Sequence, residues 1–155
     1  MRNILIFATM LLHANAVFAQ AKKNCIIEKA EIKNKMKGQQ NVFGKDLEKA
    51  SDTPKTGFYR DGFCNTGIND QGTHTVAAVM TKEFLEFSRS RGNDLISPYP
   101  ASNFPGLKPG DVWCLCALRW KEAFENGVAP NVILEATNIK TLEFIKFENL
   151  LAHKK

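Results

Sequence analysis

Four side chains of this 155-residue chain have the types that site chemistry needs: Cys64, His74, Cys114 and Cys116. On an extended backbone Cys114 and Cys116 project from one face, about 7 Å apart, twice the rise per residue. Cys64 approaches from a loop and His74 stands at the head of a neighbouring strand. Three sulfurs and one imidazole suit tetrahedral zinc. The spacing also admits one disulfide, from Cys64 to Cys114 or Cys116, or buried thiols acting as small hydrophobes. A Cys114–Cys116 pairing is the poorest geometrically. Cys-x-Cys alone is not a closed zinc spacing, and the chain has no Cys-x-x-Cys.

A second group is polar and loop-borne: Tyr59, Arg60, Asp61, Asn65, His74, Asp94 and Asp111. Histidine works as an acid or base near neutral pH, here with Asp61 or Asp94 to orient it. Arg60 can hold a carboxylate or phosphate through two donors. The bland alternative is an ordinary Arg60–Asp61 loop pair and a structural histidine. Glu135 is an inward carboxylate or, more commonly for its type, an outward one. The aromatics at 58, 59, 63, 113 and 120 line a pocket or fill the core. The chain carries no G-x-S-x-G, P-loop, H-E-x-x-H or G-x-G-x-x-G motif.

The elements that must position these residues follow from periodicity. Gly110 to Trp120 is apolar on both faces and predicts a central buried strand. Thr73 to Thr81 alternates as a second strand. Thr81 then caps a short helix with Phe84, Leu85, Phe87 and Ser88 inward, closed by Arg89, Arg91 and Gly92. Lys121 to Asn126 predicts a short helix ended by Gly127. Pro130 to Thr137 predicts a third strand and Thr141 to Phe147 a returning one, with a last helical turn over Glu148 to His153. Asn41 to Leu47 is a short strand or extended lead-in. Two long segments separate these elements, residues 50–72, rich in glycine, and 93–110, with four prolines. Stiff, aromatic-bearing loops of this length are expected to be ordered and to pack back on the core. The expected fold is α+β: one compact domain, a small mixed or mainly antiparallel sheet, short helices and two long ordered loops. There is no internal repeat and no low-complexity segment.

The run of Thr56-Gly-Phe-Tyr-Arg-Asp-Gly62, Cys64-Asn-Thr-Gly67, His74-Thr-Val76, Glu83-Phe-Leu-Glu-Phe-Ser88, Phe104-Pro-Gly-Leu-Lys-Pro-Gly-Asp111, Trp113-Cys-Leu-Cys-Ala117 and Leu134-Glu-Ala-Thr137 resembles the bacterial and plant proteins grouped as domain of unknown function 2237. The resemblance spans roughly residues 41–153. It implies a single compact domain and supplies no activity. The family pattern carries cysteines where this chain has Ala50, Phe63 and Ala77. Losing surplus thiols fits a move to an oxidising compartment.

Residues 1–19 have the three parts of a secretory signal: Arg2, an apolar run from Ile4 to Leu12, and Val17-Phe-Ala19 before a cut at Gln20, with Ala14-Asn-Ala16 as the alternative site. The apolar run is short for a bilayer span, and no later stretch resembles one. The protein is therefore expected to be exported, periplasmic or secreted, with no transmembrane segment after cleavage. Residues 20–40 form a basic arm or linker. Lysines 22, 23, 29, 33, 35 and 37 face only Glu28 and Glu31, whereas residues 38–155 carry 14 basic and 14 acidic side chains. The formal charge of +5 is thus local to the N-terminus. The arm is solvated or meets an anionic partner, and no nucleic-acid partner is expected. Cys25 lies in this arm and either pairs with the cysteine left over or stays free.

Three functional expectations follow. The first is a domain that binds a small molecule or metal ion, with Arg60 and Asp61 as anchors. The second is an enzyme with His74 as acid or base and Cys64 as nucleophile. The third is a disulfide-held interaction module. Any site is expected between loops 56–74 and 93–111.

Overall fold

The computed structural model describes residues 20–24 and 38–155. The expected signal segment, most of the lysine arm and Cys25 lie outside the described residues. Gln20 to Asn24 forms a short helical stretch, with Gln20 Nε2 donating to Asn24 Oδ1 at 3.3 Å. Residues 38–155 form a separate compact unit.

Its frame is a two-stranded antiparallel sheet, β1 (His74–Val79) and β2 (Val112–Cys116). The register pairs Val79 with Val112, Ala78 with Trp113, Ala77 with Cys114 and Val76 with Leu115. It slips by one residue before His74 pairs with Cys116, so Thr75 is the extra residue of a bulge. Helix α1 (Lys82–Ser90) follows β1, helix α2 (Ala117–Glu125) follows β2 without a loop, and α3 (Phe147–Leu151) closes the chain. Single-turn 3₁₀ helices occupy Pro100–Ser102, Leu134–Ala136 and Ile139–Glu143. The architecture is α+β.

The apolar pattern divides between two clusters. Val76, Ala78, Trp113 and Leu115 belong to the main core with Met80, Phe84, Trp120, Leu134 and Leu150. Ala77 and Cys114 belong to a smaller one with Cys64 and Ala136. Trp120 is fully buried, and its indole N–H donates to Pro130 O at 3.0 Å, so its one polar atom is satisfied. Thr81 caps α1 as its sequence predicts: its Oγ1 accepts from Phe84 N at 3.1 Å. Gly92 ends that helix region at φ +79°, where a Cβ is disfavoured.

Three expectations are corrected. The strand expected over Gly110 to Trp120 ends at Cys116. Ala117, Trp120 and Ala123 recur every three residues and bury one helical face, while Leu118 is exposed. Helix formers dominate that stretch, and propensity prevails over the alternating pattern. The central strand is β1, because its second edge is also covered: Ile133 N donates to Ala77 O, Val79 N to Asn131 O and Asn138 N to Thr75 O. The strand expected at Pro130 to Thr137 is not formed. Thr137 Oγ1 donates to Ile133 O at 2.9 Å and accepts from Ala77 N, which closes a 3₁₀ turn and leaves isolated bridges from Val132 to Ala78 and to Lys154. The returning strand at Thr141 to Phe147 is replaced by a 3₁₀ turn capped by Asn138 Oδ1 on Lys140 N at 3.0 Å.

Candidate functional site

The loop from Thr56 to Thr73 is pinned to the edge of β2 at two points. Thr56 Oγ1 accepts from Cys114 N at 2.7 Å, and Cys64 is joined to Cys114 by a disulfide. Both cysteines are buried, at 0% and 2% exposure. Between these pins the chain makes a tight reversal. Gly57 stands at φ +91°, where a Cβ would sit 2.2 Å from Phe63 O, so only glycine fits. Asp61 organises the turn, Oδ1 accepting from Phe63 N at 3.0 Å and Oδ2 from Asn65 Nδ2 at 2.8 Å. Arg60 is carried at φ +54°, a left-handed conformation uncommon outside glycine and the small polar residues.

The second loop is held just as firmly. Asp94 Oδ1 accepts from Ile96 N and Ser97 N at 2.8 and 3.0 Å, and these bonds hold its carboxyl below the ordinary value. Tyr99 and Phe104 exchange two backbone hydrogen bonds. Asp111 Oδ2 accepts from Lys108 N at 2.9 Å and turns the chain into β2.

A cleft of about 380 Å³ opens between the two loops. Phe58, Tyr99, Phe104 and Trp113 supply apolar walls; Arg60 and His74 supply polar atoms. The Arg60 guanidinium lies over the Trp113 ring, 4.7 Å from its centroid, and Phe104 meets the same ring edge-on at 5.4 Å. Among the described residues no carboxylate pairs with Arg60; its one hydrogen bond is a long one, 3.5 Å to Lys55 O. Desolvation against the wall pulls its pKa below the ordinary guanidinium value.

His74 is held by Asp70. Nδ1 lies 2.6 Å from Asp70 Oδ1, with the carboxylate side chain fully buried and the imidazole 37% exposed. Asp70 Oδ2 accepts from His74 N at 2.8 Å and from Thr66 Oγ1 at 3.0 Å. An ionised carboxylate only accepts, so Nδ1 carries the proton and a neutral His74 offers its Nε2 lone pair. Phe58 stacks on the ring at 5.9 Å. A Cβ on Gly72 would come 2.5 Å from His74 Cε1, so the ring occupies the space a side chain would need.

The cleft therefore gathers Arg60, His74, Asp94 and Cys114 from the residues singled out in the sequence. Asp61, Asn65 and Asp111 are spent on turns, and Tyr59 packs its hydroxyl end beside Gly67. The histidine's orienting group is Asp70, not Asp61 or Asp94. Its signal was local: an aspartate four residues before a histidine with glycine between them. The expected zinc set is corrected. Cys64 and Cys114 hold each other, which removes two thiolates from the four-ligand cluster with His74 and Cys116. No group of three or more potential ligands lies together among the described residues. Cys64 is likewise no nucleophile while its sulfur is bonded.

A larger cavity, about 570 Å³, lies by Gln39, Thr66, Asn138 and Lys140. Its polar groups serve each other. Gln39 Nε2 donates to Thr66 O at 2.8 Å, its Oε1 accepts from Thr66 N at 3.1 Å, and Asn138 Nδ2 donates to Gln39 Oε1 and Cys64 O. The smaller cleft, with its unpaired cation, is the better site.

Fold and site define a small α+β domain with one buried disulfide and a loop-built cleft. Residues 40–154 match the family described as uncharacterized protein conserved in bacteria (DUF2237), and the chain belongs to that family. No curated protein matches it. Among the described residues no helix is long and apolar enough to cross a membrane.

Proposed function

We propose that this is a small-molecule-binding domain whose ligand carries a carboxylate or phosphate on an apolar body. The carrying observation is Arg60: an exposed guanidinium stacked on Trp113, without a carboxylate partner among the described residues, lining an aromatic cleft. Arg60 is solvent-exposed, so it is free to meet a carboxylate or phosphate bidentately beside the apolar wall. Phe58, Tyr99 and Phe104 take the apolar part.

The proposal includes export. A buried disulfide fits an oxidising compartment. Ala50 and Ala77, at positions where the family pattern has cysteines, pack against that disulfide, so neither offers a competing thiol.

Tryptophan fluorescence during titration with phenylacetate tests the binding reading, with benzyl alcohol as the neutral control. A ligand of that size binds in the millimolar range at best ordinary efficiency. Phenylacetate is expected to saturate a signal that benzyl alcohol does not give, and Arg60→Met to weaken it at least tenfold. Equal responses to the two probes, or an unchanged titration in the variant, would remove the anion site.

A further inference from the structure

We propose that Cys116 is a nucleophilic thiol served by His74 and Asp70, and that its substrate is a small acyl compound, an ester or thioester. That its anionic end is held by Arg60 rests on the binding reading above.

Cys116 is partly exposed and is the one cysteine among the described residues outside a disulfide. It stands directly opposite His74 in the sheet register. Opposed residues of antiparallel strands hold their Cβ atoms roughly 5 Å apart, within reach of a thiol and an imidazole. Both side chains line a cavity of about 230 Å³ with Asn93, Leu95 and Trp113. That cavity shares His74, Leu95, Trp113 and Cys114 with the Arg60 cleft, so the two adjoin. A ligand anchored at Arg60 can lay its far end against Cys116.

The rest of the arrangement suits acyl chemistry. Asp70 fixes the tautomer of His74 that leaves Nε2 free to take a proton. Cys116 sits at the junction where β2 passes straight into α2, and no side chain caps that helix. Ala117 N donates to Thr73 O, while the next N–H groups, of Leu118 and Arg119, belong to the uncapped first turn. They are donors for a developing oxyanion beside the sulfur. Arg119 itself is occupied, its Nη1 bonded to Arg91 O and Glu122 Oε2, and does not compete with Arg60 for the anion.

The Cys116 S–H proton passes to His74 Nε2, and the sulfur forms an S–C bond to the acyl carbon. The alkoxide or thiolate leaves with the electron pair of its broken bond and takes that proton from His74. Water then repeats the sequence, its proton going to His74 and its oxygen to the acyl carbon. The S–C bond breaks, the acid is released and the thiol is restored.

The test measures alkylation of Cys116 by iodoacetamide at pH 7 in the full chain, read by peptide mass spectrometry so that Cys25 is counted separately. Native protein is compared with the same chain in urea, which needs no variant, and with His74→Gln and Asp70→Asn. Native Cys116 is expected to react at least tenfold faster than in urea, with most of the advantage lost in His74→Gln and part of it in Asp70→Asn. 4-Nitrophenyl acetate is expected to leave an acetyl group on Cys116. A native rate at or below that of the unfolded chain overturns the proposal. The iodoacetate-to-iodoacetamide rate ratio reads Arg60 separately. If Arg60→Met leaves that ratio unchanged while the acceleration stands, the anion reading fails and the thiol proposal survives. If the acceleration is absent and the ratio still depends on Arg60, the reverse holds.

Discussion

Removing the disulfide by Cys64→Ala together with Cys114→Ala is expected to cost about 4 kcal/mol. The bond closes a loop between residues 50 apart in sequence. In the chain-entropy account, freeing a loop of that length returns about 14 cal/mol/K to the unfolded state, which at room temperature gives the figure above. Loss of two buried sulfurs from the small cluster with Ala77 and Ala136 adds to it. Replacing both cysteines avoids freeing a new thiol beside Cys116. Urea unfolding followed by fluorescence of the buried Trp120 is the assay. With a slope of about 2 kcal/mol/M, the midpoint is expected to fall by about 2 M. Such a change is a large share of the stability of a domain this size, so the variant is expected to be marginal at 37 °C. The loop that carries Arg60 is tied to β2 chiefly by this bond and by Thr56, so the cleft is expected to loosen with it. A loss below about 1 kcal/mol would mean that the loop is held by its other contacts and not by the disulfide.

Other perturbations isolate single contacts. Thr56→Val keeps the volume but strands the buried Cys114 N–H, and is expected to cost about 1–3 kcal/mol by urea unfolding, with Thr56→Ser restoring most of it. Gly72→Ala puts a Cβ against the His74 ring; the ring's NMR signals are expected to shift, and the alkylation advantage of Cys116 to fall, while the far-UV spectrum stays unchanged. Asp94 has a folded pKa lowered from 3.8 by its bonds to Ser97 and Ile96. Its contribution is therefore fully present above 3.8 and is lost as pH falls through the lower folded value. Asp94→Asn is expected to flatten the dependence of Tm on pH in that acid window, read by calorimetry.

The first half of the domain was legible because its signals are local. Thr81, Glu83 and Gly92 mark α1 through capping and φ > 0 chemistry, and β1 buries small or branched residues on both faces, Val76 and Ala78 on one and Ala77 on the other. The two long loops were legible as ordered, since Pro and Gly fix their paths and their aromatics had to pack somewhere. The disulfide was legible only to a choice of two. Cys114 is selected because it pairs with Ala77 in the small cluster, whereas the bulge at Thr75 sets Cys116 at the end of the ladder. Residues 130–137 and 141–147 were not legible as turns, although Asn138 to Lys140 between them was. Buried positions two apart, as at Leu134 and Ala136, fit a strand and a 3₁₀ turn alike. The choice is made by Thr137 and Asn138 through bonds to residues 60 or more positions away. Arg60 was legible by type, but its lack of a carboxylate partner is a property of the fold. Asp61, its sequence neighbour, turns away to bind Phe63 N and Asn65.

The proposed anion site at Arg60 is tested by a ¹H–¹⁵N NMR titration of the folded chain with phenylphosphate, following the Arg60 Nε–H and the Trp113 indole N–H. Saturating shifts are expected at these two groups and at the backbone amides of Phe58 and Tyr99, with the amides beside Gln39 and Lys140 unmoved. Shifts spread over the surface lysines with Arg60 and Trp113 still would contradict it.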